Sequence, residues 1–432
     1  MRALRPARND GMPTHGYIDV IDESRSVRMA RLRTPRPRSL AGMAVSALLL
    51  LGSAPMATAA PSERLPASRL LPIPAGGLHS FVRGLNSSGT IIGEYQVEGS
   101  AGPLAIRWNA HRPGYTRLAP LPGEKFSRTT ALSDAGWVVG QSYDELPDVH
   151  PVRWTPRGTP KRLTLPRGSL GGRASAVNNA GVAVGEAQGK DSRSRPVRWR
   201  PDGRKTVLPV LPGDSGGTAT SINNAGTAVG WTEQHDVAGG PAHPVRWNAA
   251  GAVSALPLPP GFTGARTSRI TDSGVVFGHG RAAGSTEYDR VLVWAPDGTV
   301  RDAGRGRAYD ANLAGTVVGA SLDDSPNGDP ARWHADGTRT VLANPAEAAG
   351  EVLAINNRGT AVGYAWPPAG NPALDKALMW KPDGTVVPLP PSSLGPYAAA
   401  FAVNDAGVIA GFAVGTDGAG NPTTWRATVW KR

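Results

Sequence analysis

Residues 221–230 read Ser-Ile-Asn-Asn-Ala-Gly-Thr-Ala-Val-Gly, and the segment His-Pro-Val-Arg-Trp follows at 243–247. The same combination, an Asn-Asn-x-Gly-x-x-Val-Gly stretch with a tryptophan 18 to 23 residues after its turn glycine, occurs in eight degenerate copies. The copies fill the chain from about residue 70 to its end, and successive turn glycines are 41 to 48 residues apart. A period of this length is typical of repeat architectures such as propellers, and it decides the fold.

The copies are called repeats 1 to 8 in chain order. Their turn glycines are Gly89, Gly136, Gly181, Gly226, Gly274, Gly315, Gly359 and Gly407. Their tryptophans are Trp108, Trp154, Trp199, Trp247, Trp294, Trp333, Trp380 and Trp430. One large ring at the same position of every repeat is expected to fill a layered core between repeats.

Each repeat predicts four strands. In repeat 3, the segment 173–185 alternates into and out of the turn 178–181, as in a hairpin whose Asn and Gly tolerate positive φ. A third strand follows at 196–199, and the turn Pro201-Asp202-Gly203 leads to a fourth at 206–209. Four short strands in about 45 residues predict a propeller blade.

The two ends of the repeat region predict how the ring closes. The last repeat supplies only three strands, near Phe401, Ile409 and Trp430, and the segment 69–74 stands before the first repeat without a partner. Pairing that segment with the last blade would leave no open sheet edge. We therefore expect an all-β fold, an eight-bladed β-propeller of four-stranded blades closed by the N-terminal strand, as a single domain over residues 60–432.

The first 59 residues predict an N-terminal extension and a secretory signal peptide. A basic run begins near Met29, an apolar run spans Leu40 to Leu51, and Ala57-Thr58-Ala59 matches a small-x-small cleavage site. The apolar run is too short to cross a membrane. We expect translation to start at Met29 and the mature protein to be secreted, with no membrane association after cleavage.

Composition narrows the function classes. The formal charge is +12, of which residues 1–59 contribute +5 through 9 Arg against 4 acids, so the repeats are only mildly basic and no nucleic-acid partner is expected. The chain has no cysteine, which excludes thiolate metal sites and cysteine nucleophiles. Gly213-Asp214-Ser215-Gly216-Gly217 spells a serine-protease motif, yet it aligns with ordinary connections between repeats. We expect no catalytic constellation, no metal and no cofactor.

Candidate binding residues come from two departures from repetition. In four repeats an arginine lies eight residues before the turn glycine: Arg128, Arg173, Arg266 and Arg307. If these side chains form a ring around a channel, they would attract an anion. If each is paired locally, they would not. Of the four tryptophans outside the repeat pattern, three fall in or beside the loops between second and third strands: Trp231, Trp366 and Trp425. Such rings either stack on a sugar or pack locally.

The residues 221–230 and 243–247, with Ser169-Leu170-Gly171-Gly172 before a repeat, resemble the HAF repeats of bacterial extracellular proteins. The resemblance covers essentially all of the mature chain. His-Pro-Val or Arg-Pro-Val stands where the naming His-Ala-Phe triplet is expected. The resemblance implies an exported repeat protein, and it transfers no catalytic residue.

Three function classes stay open on the sequence. The first is a secreted binding or scaffold module that holds an anionic extracellular or cell-wall glycan on its irregular loops. The second is a protein interaction scaffold without a small ligand, with a cell-surface protein as its partner. The third is a propeller glycan hydrolase or lyase, which would need paired carboxylates that the inner-strand positions do not offer. The first is preferred.

Overall fold

The computed structural model describes residues 66–145, 148–235, 237, 240–345, 349–366 and 375–431. All of them belong to the compact unit Glu63–Arg432. The expected leader over residues 1–59 and its start at Met29 lie outside the described residues. Within the described part, no helix is long and apolar enough to cross a membrane.

The sequence repeats form antiparallel sheets whose strands follow chain order. In repeats 1 to 4 the strands are β2 (Gly77–Leu85), β3 (Thr90–Val97), β4 (Leu104–Asn109) and β5 (Arg112–Arg117); β6 (Phe126–Leu132), β7 (Val138–Tyr143), β8 (Val149–Trp154) and β9 (Pro160–Arg162); β10 (Ser169–Val177), β11 (Ala183–Gly189), β12 (Ser194–Trp199) and β13 (Lys205–Val207); and β14 (Gly216–Ile222), β15 (Ala228–Glu233), β16 (Ala242–Trp247) and β17 (Val253–Ala255). Each group of four is one sheet.

Repeats 5 and 6 share a strand. Their strands are β18 (Phe262–Ile270), β19 (Val276–Ala282), β20 (Arg290–Trp294), β21 (Val300–Ala311), β22 (Val317–Ser321), β23 (Asp329–Trp333) and β24 (Arg339–Val341). The beginning of β21 pairs with β20 and its end pairs with β22, which joins the two repeats into one seven-stranded sheet. Repeat 7 consists of β25 (Ala349–Ile355), β26 (Ala361–Trp366), β27 (Lys376–Trp380) and β28 (Val386–Pro388).

The last repeat takes its fourth strand from the other end of the described chain. It contains β29 (Tyr397–Val403), β30 (Ile409–Thr416) and β31 (Pro422–Lys431), and β1 (Ala67–Leu70) pairs antiparallel with β31. The first strand β2 contacts β29, β30 and β31. The prediction of an all-β chain of repeated four-stranded antiparallel sheets is thus confirmed, and the architecture is that of a β-propeller.

The glycine that ends each Val-Gly motif is required by a bulge in the opposing strand. In all eight described repeats the first strand carries one extra residue, and the second-strand glycine lies under it. A Cβ added at that glycine would lie 1.8 to 2.1 Å from a first-strand carbonyl oxygen. These glycines are Gly93, Gly140, Gly185, Gly230, Gly278, Gly319, Gly363 and Gly411.

The turn asparagines link neighbouring repeats. Their Nδ2 atoms donate to the backbone oxygen at the equivalent position of the next repeat, at 2.9 to 3.4 Å. The donors are Asn86, Asn178, Asn223, Asn312, Asn356 and Asn404. The Asn404 amide donates to the backbone oxygen of Asn86 in repeat 1, so this series of hydrogen bonds also crosses the junction between the last repeat and the first.

The repeat tryptophans are almost wholly buried, with at most 2% of each residue exposed. In seven repeats the indole Nε1 donates, at 2.6 to 2.9 Å, to the carbonyl that follows a buried leucine, which comes directly after the preceding outer strand. Those leucines are Leu71, Leu118, Leu163, Leu208, Leu256, Leu342 and Leu389. The ring of one repeat is therefore packed on, and bonded to, its neighbour.

The junction of repeats 5 and 6 departs from this rule because β21 runs straight through it. The small Ala303 stands in place of the leucine, and the fully buried Phe277 packs in the same core cluster, where the other repeats mostly carry a branched aliphatic residue. Among the described residues, the Nε1 of Trp333 has no hydrogen-bond acceptor. Phe277 fills the volume that the smaller Ala303 leaves at this junction, but the indole hydrogen bond seen in the other repeats is not formed.

We expect Gly319→Ala to destabilise the fold by about 3 kcal/mol, because its Cβ would lie 1.8 Å from the Arg307 carbonyl oxygen. Gly418→Ala is the matched control, since an added Cβ there meets nothing within 4 Å. Denaturant unfolding of both variants measures the difference. Equal stability of the two would show that the bulge does not require glycine.

A pair of tryptophan variants tests the interrepeat hydrogen bond. Phe in place of either ring leaves a similar space, but only Trp247→Phe removes a bonded indole N–H, the one that donates to Pro209 at 2.7 Å. We expect Trp247→Phe to cost about 1 kcal/mol more than Trp333→Phe in denaturant unfolding. A larger loss for Trp333→Phe would contradict this account of the junction.

Candidate functional site

The two ends of the strands form two different faces. Because neighbouring strands are antiparallel, the Asn-Asn-x-Gly turns and the turns between third and fourth strands lie on one face. The loops between second and third strands and the connections between repeats lie on the opposite face, which we call the variable-loop face. The loops there differ in length and sequence from repeat to repeat, so this is where a specific site is sought.

The four predicted arginines occupy equivalent places. Arg128, Arg173, Arg266 and Arg307 lie in the first strands of their repeats, ahead of the bulge and towards the variable-loop face. Their surroundings differ, however, because their partners are different side chains, some from the same repeat and some from the neighbouring one.

Two of these arginines are paired with carboxylates. Arg173 Nε lies 2.9 Å from Glu186 Oε1 of its own repeat, and the other carboxylate oxygen accepts a 2.5 Å hydrogen bond from Thr218 of repeat 4. Arg307 Nη1 lies 3.3 Å from Oε1 of the fully buried Glu351 of repeat 7. Each pair bridges two repeats directly or through the threonine, and this is an evident structural role.

Arg128 lies beside a tyrosine. Burial raises the pKa of Tyr143, and Arg128, which hydrogen-bonds to the Tyr143 side chain, opposes that rise with its positive charge. Its own Nε is buried and has no hydrogen-bond partner among the described residues. With Glu186 and Glu351 on two of the others, the ring of arginines is interrupted by negative charge.

Arg266 is in a different environment. Its guanidinium carbon lies over the ring of Trp231, 5.3 Å from the centroid, and over the ring of Tyr288 at 4.9 Å. The side chain is 46% exposed, and its Nη2 is 4.0 Å from Glu233 Oε2, beyond hydrogen-bond distance. Aromatic contacts of this kind orient a guanidinium without consuming its N–H groups. We call Arg266, Trp231 and Tyr288 the Arg266 bracket.

Local backbone contacts fix the bracket in place. Gly264 lies against the backbone of repeat 4, where an added Cβ would be 2.8 Å from the Ala242 oxygen. The Tyr288 hydroxyl accepts the Ala242 N–H at 2.9 Å, which ties the loop of repeat 5 to the strand of repeat 4. Arg281 lies over the same Tyr288 ring at 5.5 Å and donates to Thr263 Oγ1 at 3.2 Å. The bracket is thus built across a tight junction of two repeats.

The three predicted tryptophans separate into two places. Trp231 belongs to the Arg266 bracket, whereas Trp366 and Trp425 are half-buried in one aromatic cluster of repeats 7, 8 and 1. The Trp425 ring meets His79 of repeat 1 edge-on at 5.1 Å, and its backbone N–H donates to His79 Nδ1 at 3.3 Å. The cluster spans the junction between the chain ends, so its packing stabilises closure.

The protease-like segment forms an acid–histidine pair rather than a triad. Asp214, with 1% of its side chain exposed, lies 2.9 Å from His243 Nδ1 and accepts a 2.5 Å hydrogen bond from Thr232. Ser215 Oγ accepts the backbone N–H of His235 at 3.0 Å. His243 is oriented as a proton-accepting group would be, but no described contact joins it to the serine. Among the described residues, no group of three His, Cys, Asp or Glu side chains could hold a metal.

Two of the three bracket residues, Arg266 and Trp231, are candidates from the sequence, but Tyr288 is not. Tyr288 and the neighbouring side chains of Arg281 and Glu233 lie in or beside non-repeating loops, and their sequence positions carry no periodic signal. The contacts of Arg266 can be identified only from the structure, in which repeats 4 and 5 pack against each other.

Comparisons with known proteins agree with the fold. No protein-family model matches the chain, and no curated protein matches it. Among solved structures, it is similar to a prolyl endopeptidase at 9% identity, covering 78% of this chain and 54% of that chain with a TM-score of 0.53. A post-proline cleaving enzyme from Rickettsia typhi matches at 9% identity over 78% and 57%, TM-score 0.51.

TolB from Acinetobacter baumannii is also similar, at 14% identity over 60% of this chain and 62% of that chain, with a TM-score of 0.39. The chain therefore spans between 54% and 62% of the lengths of these three proteins. At such identities, the two matches with TM-scores above 0.5 show a shared β-propeller fold alone.

A histidine opposite Arg266 on the neighbouring strand, His279, predicts a pH dependence. His279 Nε2 accepts the Ala308 N–H of repeat 6 at 3.0 Å, and burial, aided by the nearby Arg307, lowers its pKa from 6.5 to about 4. The residue as a whole is half-buried, but the dense protein around the ring governs the pKa. The unfolded chain takes up the proton first, so stability falls as pH drops from 6.5 towards 4.

We expect His279→Gln to remove about 2 kcal/mol of the stability loss between about pH 7 and about pH 4.5. Denaturant unfolding at both pH values measures it. The exposed His235→Gln is the control and should respond to pH as the wild type does. An unchanged pH response of His279→Gln would contradict the assignment.

Proposed function

We propose that this chain is a secreted binding protein whose repeats are of the HAF type and form an eight-bladed ring closed by β1. On this proposal the variable-loop face recognises an anionic extracellular or cell-wall glycan, and the protein binds its ligand without transforming it. The eightfold sequence period, the pairing of β1 with β31 and the expected signal peptide support the proposal. The binding role itself rests on the Arg266 bracket.

The observation that carries the proposal is the state of the Arg266 side chain. Arg173 and Arg307 are neutralised by Glu186 and Glu351 at hydrogen-bond or near hydrogen-bond distance. The Arg266 guanidinium is oriented by two rings, is 46% exposed on the variable-loop face, and is 4.0 Å from its acidic neighbour. A pre-oriented cation with available N–H groups suits an anionic ligand, because little side-chain entropy is lost on binding.

A glycan hydrolase or lyase is a second candidate, favoured by one observation. Asp214, in the connection before β14, pairs with His243 on β16, and β16 is the neighbour of β15, which carries Trp231. An acid-oriented imidazole is a group that such chemistry uses. Release of new chain ends from a bound glycan, abolished by His243→Gln, would favour this candidate.

The test is binding of the purified protein to a panel of neutral and anionic glycans at low and moderate salt. We expect Arg266→Gln to weaken binding of an anionic glycan by about tenfold or more, because a charge-assisted hydrogen bond is lost. Arg204→Gln is the matched control. Arg204 is 80% exposed on the opposite face, and its variant should bind as the wild type does.

Two outcomes would contradict the proposal. Absence of binding to any glycan would favour a protein interaction scaffold, to be sought by partner capture on the variable-loop face. Equal weakening in both arginine variants would reveal unspecific attraction by the overall positive charge.

A further inference from the structure

The Arg266 bracket restricts how an anion can approach. The Arg266 guanidinium carbon lies 5.3 Å from the centroid of the Trp231 ring and 4.9 Å from that of the Tyr288 ring, so the two rings restrict the space beside its N–H groups. The edge of a guanidinium matches the two oxygens of a planar carboxylate, which bind in the guanidinium plane. A tetrahedral sulfate also offers two oxygens, but its remaining oxygens project out of that plane and need more room than a carboxylate does.

Glu233 adds a second requirement. Its partly exposed carboxylate lies 4.0 Å from Arg266 Nη2 and repels a simple anion held at the same edge. A ligand that carries hydrogen-bond donors beside its own carboxylate would turn this repulsion into a hydrogen bond, because an ionised carboxylate accepts only. A hexuronate has hydroxyl groups on the same ring as its carboxylate, whereas an inorganic anion has none.

We propose that the Arg266 bracket is a uronate subsite: it binds the carboxylate of a linear glycan that contains hexuronic acid, and it discriminates against sulfated glycans. Arg266 binds the carboxylate edge-on, Glu233 accepts a ring hydroxyl, and Trp231 and Tyr288 limit the thickness of the group that enters. This inference rests on the proposed function and names the ligand class of the same site.

A glycan is favoured over an acidic peptide by rigidity as well as by hydroxyl groups. In a uronate the carboxylate is attached to the sugar ring, so one rigid unit satisfies both Arg266 and Glu233. An Asp or Glu side chain lacks hydroxyl donors and loses rotamer entropy on binding. The acidic peptide therefore serves as a separate arm of the test.

The experiment measures calorimetric affinities of the full protein for three probes of equal net charge at physiological salt. The probes are a hyaluronan oligosaccharide, which has carboxylates and no sulfate, a dextran sulfate fragment, and a poly-glutamate peptide. We expect hyaluronan to bind about tenfold or more tightly than either other probe. Wild-type affinity for neutral dextran sets the baseline.

Two variants test the geometry. Arg266→Lys keeps the charge but loses the planar fork, and we expect about a tenfold loss of hyaluronan affinity, with no change for Arg204→Lys. Trp231→Leu removes one wall, and we expect the ratio of hyaluronan to dextran sulfate affinity to shrink. The thermal unfolding midpoint of each variant checks folding, and Arg266→Lys, a change at an exposed side chain, keeps the test decisive if Trp231→Leu does not fold.

Each alternative outcome is informative. Tighter binding of dextran sulfate that depends on Arg266 would overturn the uronate subsite and leave the anionic-glycan function standing. Equal binding of poly-glutamate would overturn the glycan assignment in favour of an acidic protein partner. Absence of binding to all three probes would overturn both the subsite and the proposed function.

Discussion

The fold depends on one interaction repeated around the ring: a buried indole that packs on the neighbouring repeat and donates to its backbone. No repeat can cover its own faces, so stability comes from these junctions. In seven repeats the acceptor is the carbonyl after a buried leucine, and it positions the connection that begins the next repeat. These contacts fix the positions of the strands from which the variable loops extend.

Much of the frame could be predicted from the sequence because it repeats. The turn glycines recur because the backbone has a positive φ there, as at Gly181. The glycines after the Val-Gly valine recur because that position has no room for a Cβ, as at Gly185. The missing fourth strand of repeat 8 likewise pointed to β1. The junction at Ala303 was not predicted. The turn glycines of repeats 5 and 6 are only 41 residues apart, but this short spacing does not show that one strand belongs to both sheets.

The site was predictable only in part. Equal spacing placed four arginines at one level of the ring, but the charge available at each depends on side chains that are distant in sequence, such as Glu351 beside Arg307. Tyr288 comes from a loop without periodicity, so its contact with Arg266 is a product of packing between repeats. Trp366 and Trp425 share one cluster for the same reason. The repeats are therefore not equivalent. Repeats 4 and 5 meet at the Arg266 bracket, whereas repeats 7, 8 and 1 meet at the aromatic cluster.

The central claim is that the guanidinium of Arg266, oriented between repeats 4 and 5, binds a carboxylate through its N–H edge. The most direct measurement follows the arginine Nε–Hε signals by nitrogen-15 NMR during titration with a hyaluronan oligosaccharide, with Arg266→Lys to assign the signal. The account predicts that the Arg266 signal, displaced by the ring currents of Trp231 and Tyr288 in the free protein, shifts downfield on binding while that of Arg204 does not move. Saturable binding with an unmoved Arg266 signal would contradict it.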